Sequence, residues 1–184
     1  THTHYSDGTD SPRRVIELAK EANLSAIAIT DHDILDGYPE GRSAAEELGI
    51  ELLPGLEMSA SLGGREVHVL GFLIEVAHAS FQGMLAEQRQ RRIRRIHQMV
   101  TGLQKMGLTI TAEEVFAVSK EGTVGRPHVA QVLLNRGYVA TLREAFDRYI
   151  GNNSPAYVPG SPLSPKTAIR AIRQAGGVPV LAHP

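Results

Sequence analysis

The sequence predicts an α/β fold. Helical apolar spacing alternates with short continuous apolar runs in the first and last parts of the chain, and such runs suit strands buried in a parallel sheet. Polar residues able to do chemistry stand just past several of those runs, where barrel enzymes carry their sites. With 184 residues, 42% of them hydrophobic, the chain can bury one core as a single domain, and a change of pattern in its middle marks an insertion.

The first helix is expected over 12–22, with Ser11 as N-cap, Pro12 in the first turn, and Val15, Leu18, Ala19 and Ala22 at helical spacing. Ala26-Ile27-Ala28-Ile29 reads as a strand buried on both faces, and Thr30-Asp31-His32-Asp33 follows at its end. A second helix over 39–48 stops at Gly49, a short strand covers 51–53, and a Pro54-Gly55 turn delivers Glu57. A further strand spans 66–72 and holds His68.

From about 80 to 149 the pattern is helical, with Ile93, Ile96, Val100 and Leu103 in a heptad-like rhythm. Two capping boxes, Thr111 with Glu114 and Thr141 with Glu144, mark helix starts within it, and 152–162 is a Gly/Pro/Ser-rich return. Ser164-Pro165 opens a helix carrying Ala168, Ile169 and Ile172. Gly176-Gly177 closes it, and the strand 178–182 ends at His183. The organisation expected is therefore a barrel portion of 1–79 and 161–184 around an inserted helical cap of 80–160.

Composition narrows the function classes. A net charge of -1, from 19 basic and 20 acidic residues, argues against wrapping duplex DNA by bulk electrostatics. The absence of cysteine removes disulfides and thiolate metal sites, so any metal ligands are His, Asp and Glu. No apolar run approaches the roughly 18 residues a membrane helix needs, and the polar first ten residues lack a signal-peptide core. A cytoplasmic protein with no membrane partner is expected.

Asp31, His32, Asp33, Glu57 and His183 fall at predicted strand ends, His68 lies within a strand, and His2, His4 and Asp7 crowd the loop before the first helix. This oxygen and nitrogen donor set suits Zn, Mn, Fe or Mg, and its size suits more than one ion. Two such ions roughly 3.5 to 4 Å apart turn a bridging hydroxide into a nucleophile while holding phosphate oxygens, the chemistry of phosphate ester hydrolysis.

Thr1-His2-Thr3-His4-Tyr5-Ser6-Asp7-Gly8, Thr30-Asp31-His32-Asp33, Gly55-Leu56-Glu57, His68 ahead of Leu70-Gly71, and Ala182-His183-Pro184 together resemble the PHP (polymerase and histidinol phosphatase) family. Gly125-Arg126-Pro127-His128 and Ala156-Tyr157-Val158-Pro159 further resemble its bacterial branch acting on nucleoside bisphosphates and short RNA. The resemblance implies a distorted (βα)7 barrel holding two to three divalent metal ions (Mn, Zn or Fe, with Mg an option). His2 and Glu57 would hold the first ion, Glu57, His68 and His183 the second with Glu57 bridging, and Asp7 and His32 the third. Glu57, His32 and His183 are the candidates for the catalytic centre itself.

In the family pattern the second His of a His-x-His pair lies five positions before the aspartate, which selects His2 rather than His4. The pair's first His would precede Thr1 and a final Asp-x-His motif would follow His183, so the barrel is expected to be incomplete at both ends. Asp31 and Asp33 are expected to orient His32 and cap its loop. Arg126 and His128, opening a cap helix, are candidates to bind a substrate phosphate.

The run Arg89, Arg91, Arg92, Arg94 and Arg95 reads as a solvated helix face, and Tyr157 as a packing residue or a base-stacking one. The function expected is hydrolysis of phosphate from a small nucleotide, such as a nucleoside 3',5'-bisphosphate, or from the end of a short oligoribonucleotide. The rival readings are a catalytically inactive structural or regulatory domain of this type and an RNA-binding module using the arginine run.

Overall fold

The structure, a computed structural model, describes residues 1–120, 122–160 and 163–183. The expected domain boundary at 161, the Pro162 end of the return loop and Pro184 of the last motif lie outside the described residues.

Ser11 caps α1 (Pro12–Glu21) by accepting from the Arg14 amide, and Pro12 occupies a first-turn position where a missing N–H costs nothing. Helix α2 (Tyr38–Leu48) ends at Gly49, whose φ of 64° is the left-handed conformation a C-terminal glycine adopts without strain. Val15, Ile16 and Ala19 of α1 meet Ala44 and Ala45 of α2 and Ile29 in one small core.

Four strands, β1 (Ala26–Ile29), β2 (Glu51–Leu62), β3 (Arg65–Phe72) and β4 (Val178–Leu181), form a sheet in that order. β1 pairs in parallel with β2, whereas β2 with β3 and β3 with β4 are antiparallel. The sheet is therefore mixed. β1 does pair in parallel as expected, but it is not buried on both faces: it lies at the sheet edge, and of its four residues only Ile29 is buried.

Pro54-Gly55 is not a turn. β2 runs straight through it, because this dipeptide is where the strand changes partners: Ile29 pairs with Pro54 in parallel, and Gly55 pairs with Phe72 antiparallel. A Cβ at Gly55 would press on the Gly71 and Ile29 carbonyls, 3.1 and 3.2 Å away, so the glycine admits both neighbours. Glu57 consequently lies within a strand, not at its end. β2 and β3 are joined by Gly63-Gly64, both at positive φ, as a tight hairpin requires.

Along β2, Leu56, Met58 and Ala60 enter the core under α7 (Pro165–Gln174), and the intervening Glu57 and Ser59 face the other way. The same alternation puts Glu66 and His68 of β3 on that polar face, paired with Ser61 and Ser59.

Helix α3 (Ala79–Lys105) belongs to two cores. Phe81 and Leu85 pack with the sheet and α7, whereas Ile96, Met99, Val100 and Leu103 pack with α4 (Ala112–Ser119), α5 (Arg126–Asn135) and the segment behind them. The Thr111–Glu114 capping box is present. At α6 (Leu142–Ala145), Thr141 caps the Glu144 amide, but the Glu144 carboxylate reaches Ala140 N at 2.7 Å. A π-helical turn, Phe146–Ile150, follows. Among the described residues no helix is long and apolar enough to cross a membrane.

Candidate metal centre

The site is built on one extension of the sheet. Every pair between β1 and β2 is offset by the same spacing, and an isolated parallel bridge, His32 with Glu57, continues it beyond Ile29. Asp33 N donates to Glu57 O at 3.0 Å and Glu57 N to Asp31 O at 3.0 Å, so the two main chains are pinned where both side chains enter the site.

Glu57, 5% exposed, is the hub. Its Oε2 lies 3.3 Å from His2 Nε2, and its Oε1 lies 2.6 Å from His68 Nδ1 and 3.2 Å from His183 Nε2. One carboxylate thus faces two sets of nitrogens, one per oxygen. His2, His32 and Glu57 form one group of ligand atoms within 4.8 Å of one another, and Glu57, His68 and His183 form a second. Asp7 adjoins the first group, 3.5 Å from His2 Nδ1 and 3.7 Å from His32 Nε2. All six sequence-derived ligand candidates are therefore brought together. His4 stands apart, stacked on Tyr5.

The donor chemistry fits divalent ions: imidazoles and carboxylates converge, and Glu57 is placed to bridge. His32 supports that fit, because its Nδ1 is buried with no hydrogen-bond partner among the described residues and its Nε2 lies 3.7 Å from Asp7. Burial opposes the charge on Glu57, yet hydrogen bonds from His2 and His68 hold its carboxyl well below the usual carboxylate range. The hydrogen bond to Glu57 in turn raises His2.

Burial, with the Arg92 charge nearby, lowers His32 from 6.5 to about 4, leaving a neutral imidazole whose lone pair is free for a ligand. An unfolded chain protonates that histidine near 6.5, so between pH 6.5 and about 4 it takes up a proton the folded state refuses. Folding stability should therefore fall with acid across that window, by on the order of 3 kcal/mol from this residue. His2 has the opposite sign: its contribution is full below the ordinary histidine value and is lost as pH rises through its raised pKa. Urea unfolding at a series of pH values should show the acid loss, and His32→Asn should flatten it.

Asp31 and Asp33 do not orient His32, as expected of them; each holds another piece of the site. Asp31 accepts from Thr3 N, Thr3 Oγ1 and Ser6 Oγ, all at 2.6 Å, and so ties down the loop carrying His2 and Asp7. Within that loop a Cβ on Gly8 would collide with the His2 carbonyl. Asp33, with φ 54°, accepts from Ser59 N at 2.8 Å and from Arg92 Nε at 2.8 Å.

Arg92 and Arg95 correct the picture of a solvated arginine face. Arg92 also donates to Ser59 Oγ at 2.6 Å and Val124 O at 3.3 Å, and Arg95 donates to Glu66 at 2.9 Å and Val158 O at 2.9 Å. Glu66 also takes Arg126, whose guanidinium lies between the Phe146 and Tyr157 rings at 5.6 and 5.7 Å. His128 accepts from Gly125 N at 3.0 Å and caps its own helix, and burial lowers its pKa.

Arg92, Arg95, Arg126 and His128 line a cavity of about 160 Å3 shared with Asp7, His32 and His68. A second cavity of about 220 Å3 adjoins it, with Ser59, Glu66, Arg92 and Arg95 in both walls.

A PHP domain profile matches residues 1–154. The chain belongs to the PHP domain family. This PHP chain is 33% identical, over its whole length, to a 5'-3' exoribonuclease of Haemophilus influenzae, covering 66% of that protein. It is also 33% identical over its whole length to a 3',5'-nucleoside bisphosphate phosphatase of Chromobacterium violaceum, covering 65% of it.

A solved structure from Bifidobacterium adolescentis, provisionally named a metal-dependent phosphoesterase, superposes with a TM-score of 0.92 at 37% identity, over 99% of this PHP chain and 64% of that one. The PHP chain thus spans about two thirds of the length of these relatives and carries a mixed α/β fold of a family of metal-dependent hydrolases.

Proposed function

We propose that this chain carries the reaction centre of a phosphoesterase that uses two to three divalent metal ions to hydrolyse a nucleoside 3',5'-bisphosphate or the end of a short oligoribonucleotide. The observation that carries the proposal is the convergence of His2, His68 and His183 on the two oxygens of Glu57, in two ligand groups that share that residue and the first of which includes His32. In this reading residues 1–79 and 161–184 contribute to a barrel of the PHP type, and 80–160 form a cap over its open end.

His2 and Glu57 would hold one ion, Glu57, His68 and His183 another, and Asp7 with His32 would serve a third. Bound ions would supply Lewis acidity and a water of lowered pKa. The protein's own share is to hold the substrate. Arg92, Arg95 and Arg126 bring positive charge to the cavity beside the ligand groups, and the adjoining cavity, also arginine-walled, suits a second phosphate or a following nucleotide. Names of the relatives support the substrate class.

Protein purified without chelator should contain two to three metal ions by elemental analysis and should release phosphate from adenosine 3',5'-bisphosphate in a Mn-dependent way. Absence of both metal and turnover after reconstitution would sink the reading. Arg126→Ala should raise KM about 10- to 100-fold with kcat little changed, since one charge-assisted contact contributes about 1.5–3 kcal/mol. An unchanged KM would remove Arg126 from the substrate site.

A further inference from the structure

The cavity that holds Asp7, His32 and His68 has two separate neighbours. Ser59, Glu66, Arg92 and Arg95 are common to it and the arginine-walled cavity. Ser6, Asp7, Pro127 and His128 are common to it and a third cavity, of about 340 Å3. The third cavity shares no lining residue with the arginine-walled one.

The two neighbours differ in chemistry. One is lined by Arg91, Arg92, Arg94 and Arg95, with Asp33 and Glu66, which suits a free phosphate group. The described walls of the other carry one lysine, Lys120, besides Asp7, and Val118, Leu142 and Gln131 give it apolar and amide surface. Its volume falls within the roughly 300–1,000 Å3 of small-molecule sites, and apolar surface with a few polar groups suits a nucleoside better than a phosphate.

The bonds at the scissile phosphorus say which nucleoside. In a nucleoside 3',5'-bisphosphate and in a 5'-phosphorylated oligoribonucleotide alike, water adds its oxygen to the 3' phosphorus. The bond from phosphorus to O3' breaks, and O3' takes one of the water protons. The substrates differ at one position: that phosphorus bears a free oxygen in the bisphosphate and the O5' of the next nucleoside in the oligonucleotide. A bisphosphate therefore needs one seat beside the centre, for its remaining phosphate, whereas a diester needs two.

We propose, resting on the reading of this centre as a phosphoesterase, that the cavity beside Asp7 seats the nucleoside following the scissile phosphate. Val118, Gln131 and Leu142 then decide whether phosphodiesters are accepted besides bisphosphates, and the arginine-walled cavity takes the free 5' phosphate.

Leu142 opens α6 and is 42% exposed, so a larger side chain there narrows the cavity without entering a core. In Leu142→Trp, assayed with Mn, the ratio of kcat/KM for 5'-phosphorylated diadenylate to that for adenosine 3',5'-bisphosphate should fall about 5- to 100-fold, as for loss of one seated base. An unchanged ratio in the folded variant would overturn the proposal. Should Leu142→Trp not fold, the wild-type protein still gives the answer. Its KM should be about 5- to 100-fold lower for the diadenylate than for the 3'-phosphate methyl ester of the bisphosphate, which lacks a following nucleoside. Equal values overturn the proposal, as does wild-type hydrolysis of the bisphosphate without cleavage of the diadenylate. Turnover of neither substrate would instead remove the phosphoesterase reading, and the seat with it.

Discussion

Glu57→Gln is expected to strip the centre of the ions that depend on its two oxygens, weakening divalent binding by more than about 100-fold. That is beyond the 10- to 100-fold that follows loss of an outer-shell partner. The amide keeps the size of the side chain but carries one acceptor oxygen and no charge, so it cannot serve His2 on one side and His68 with His183 on the other as the carboxylate does. Activity should disappear with the metal. Elemental analysis and titration calorimetry with Mn and Zn provide the measurement, and full metal content in Glu57→Gln would show that the two ligand groups do not share an ion-bridging residue.

The second large effect is on stability. Arg92 ties Asp33, Ser59 and the Val124 carbonyl together from α3, and the Asp33 side chain it neutralises is 1% exposed. Arg92→Ala removes the guanidinium that neutralises this buried carboxylate and leaves it the Ser59 amide. Removing one partner of a buried ion pair costs about 3–5 kcal/mol. Urea unfolding at pH 7 should show a loss of that size. Arg42→Ala, which breaks a fully exposed pair with Glu46, should leave the unfolding midpoint unchanged within error. A loss under about 1 kcal/mol in Arg92→Ala would mean that α3 is held to the site by packing alone.

Much of this was legible from residue order because it depends on local chemistry. Ser11-Pro12, Gly49, Thr111 with Glu114, and Ser164-Pro165 set helix ends through bonds within one turn, and the structure uses each of them so. Residue type and position marked the wider set of His, Asp and Glu candidates, the family resemblance narrowed it to six, and the sheet with the N-terminal loop places those six side by side.

What was misread depends on partners distant in sequence. Pro54-Gly55 has the composition of a turn, and only the presence of β1 on one side and β3 on the other makes it a crossing point within a strand. The alternation Leu56-Glu57-Met58-Ser59-Ala60 was the signal for that strand, and Gly63-Gly64 the signal for the hairpin after it. Arg92 and Arg95 were hidden among exposed arginines. Their spacing from buried Gln88 and Met99, at 88, 92, 95 and 99, was the clue that they share an inward face. The tasks of Asp31 and Asp33 could not be read at all, since their partners Thr3, Ser6, Ser59 and Arg92 lie well away along the chain.

The constant offset between β1 and β2 has an evolutionary consequence. Because neighbouring residues on a strand face opposite sides, adding or deleting one residue between Gly55 and Glu57 would carry Glu57 into the apolar core and present Leu56 or Met58 to the imidazoles. The same change at Gly49, where a Cβ would meet nothing within 4 Å, falls in a connection that can absorb it. Length variation among descendants of this sequence should accordingly collect in the α2–β2 connection and be purged from the strand only a few residues further on.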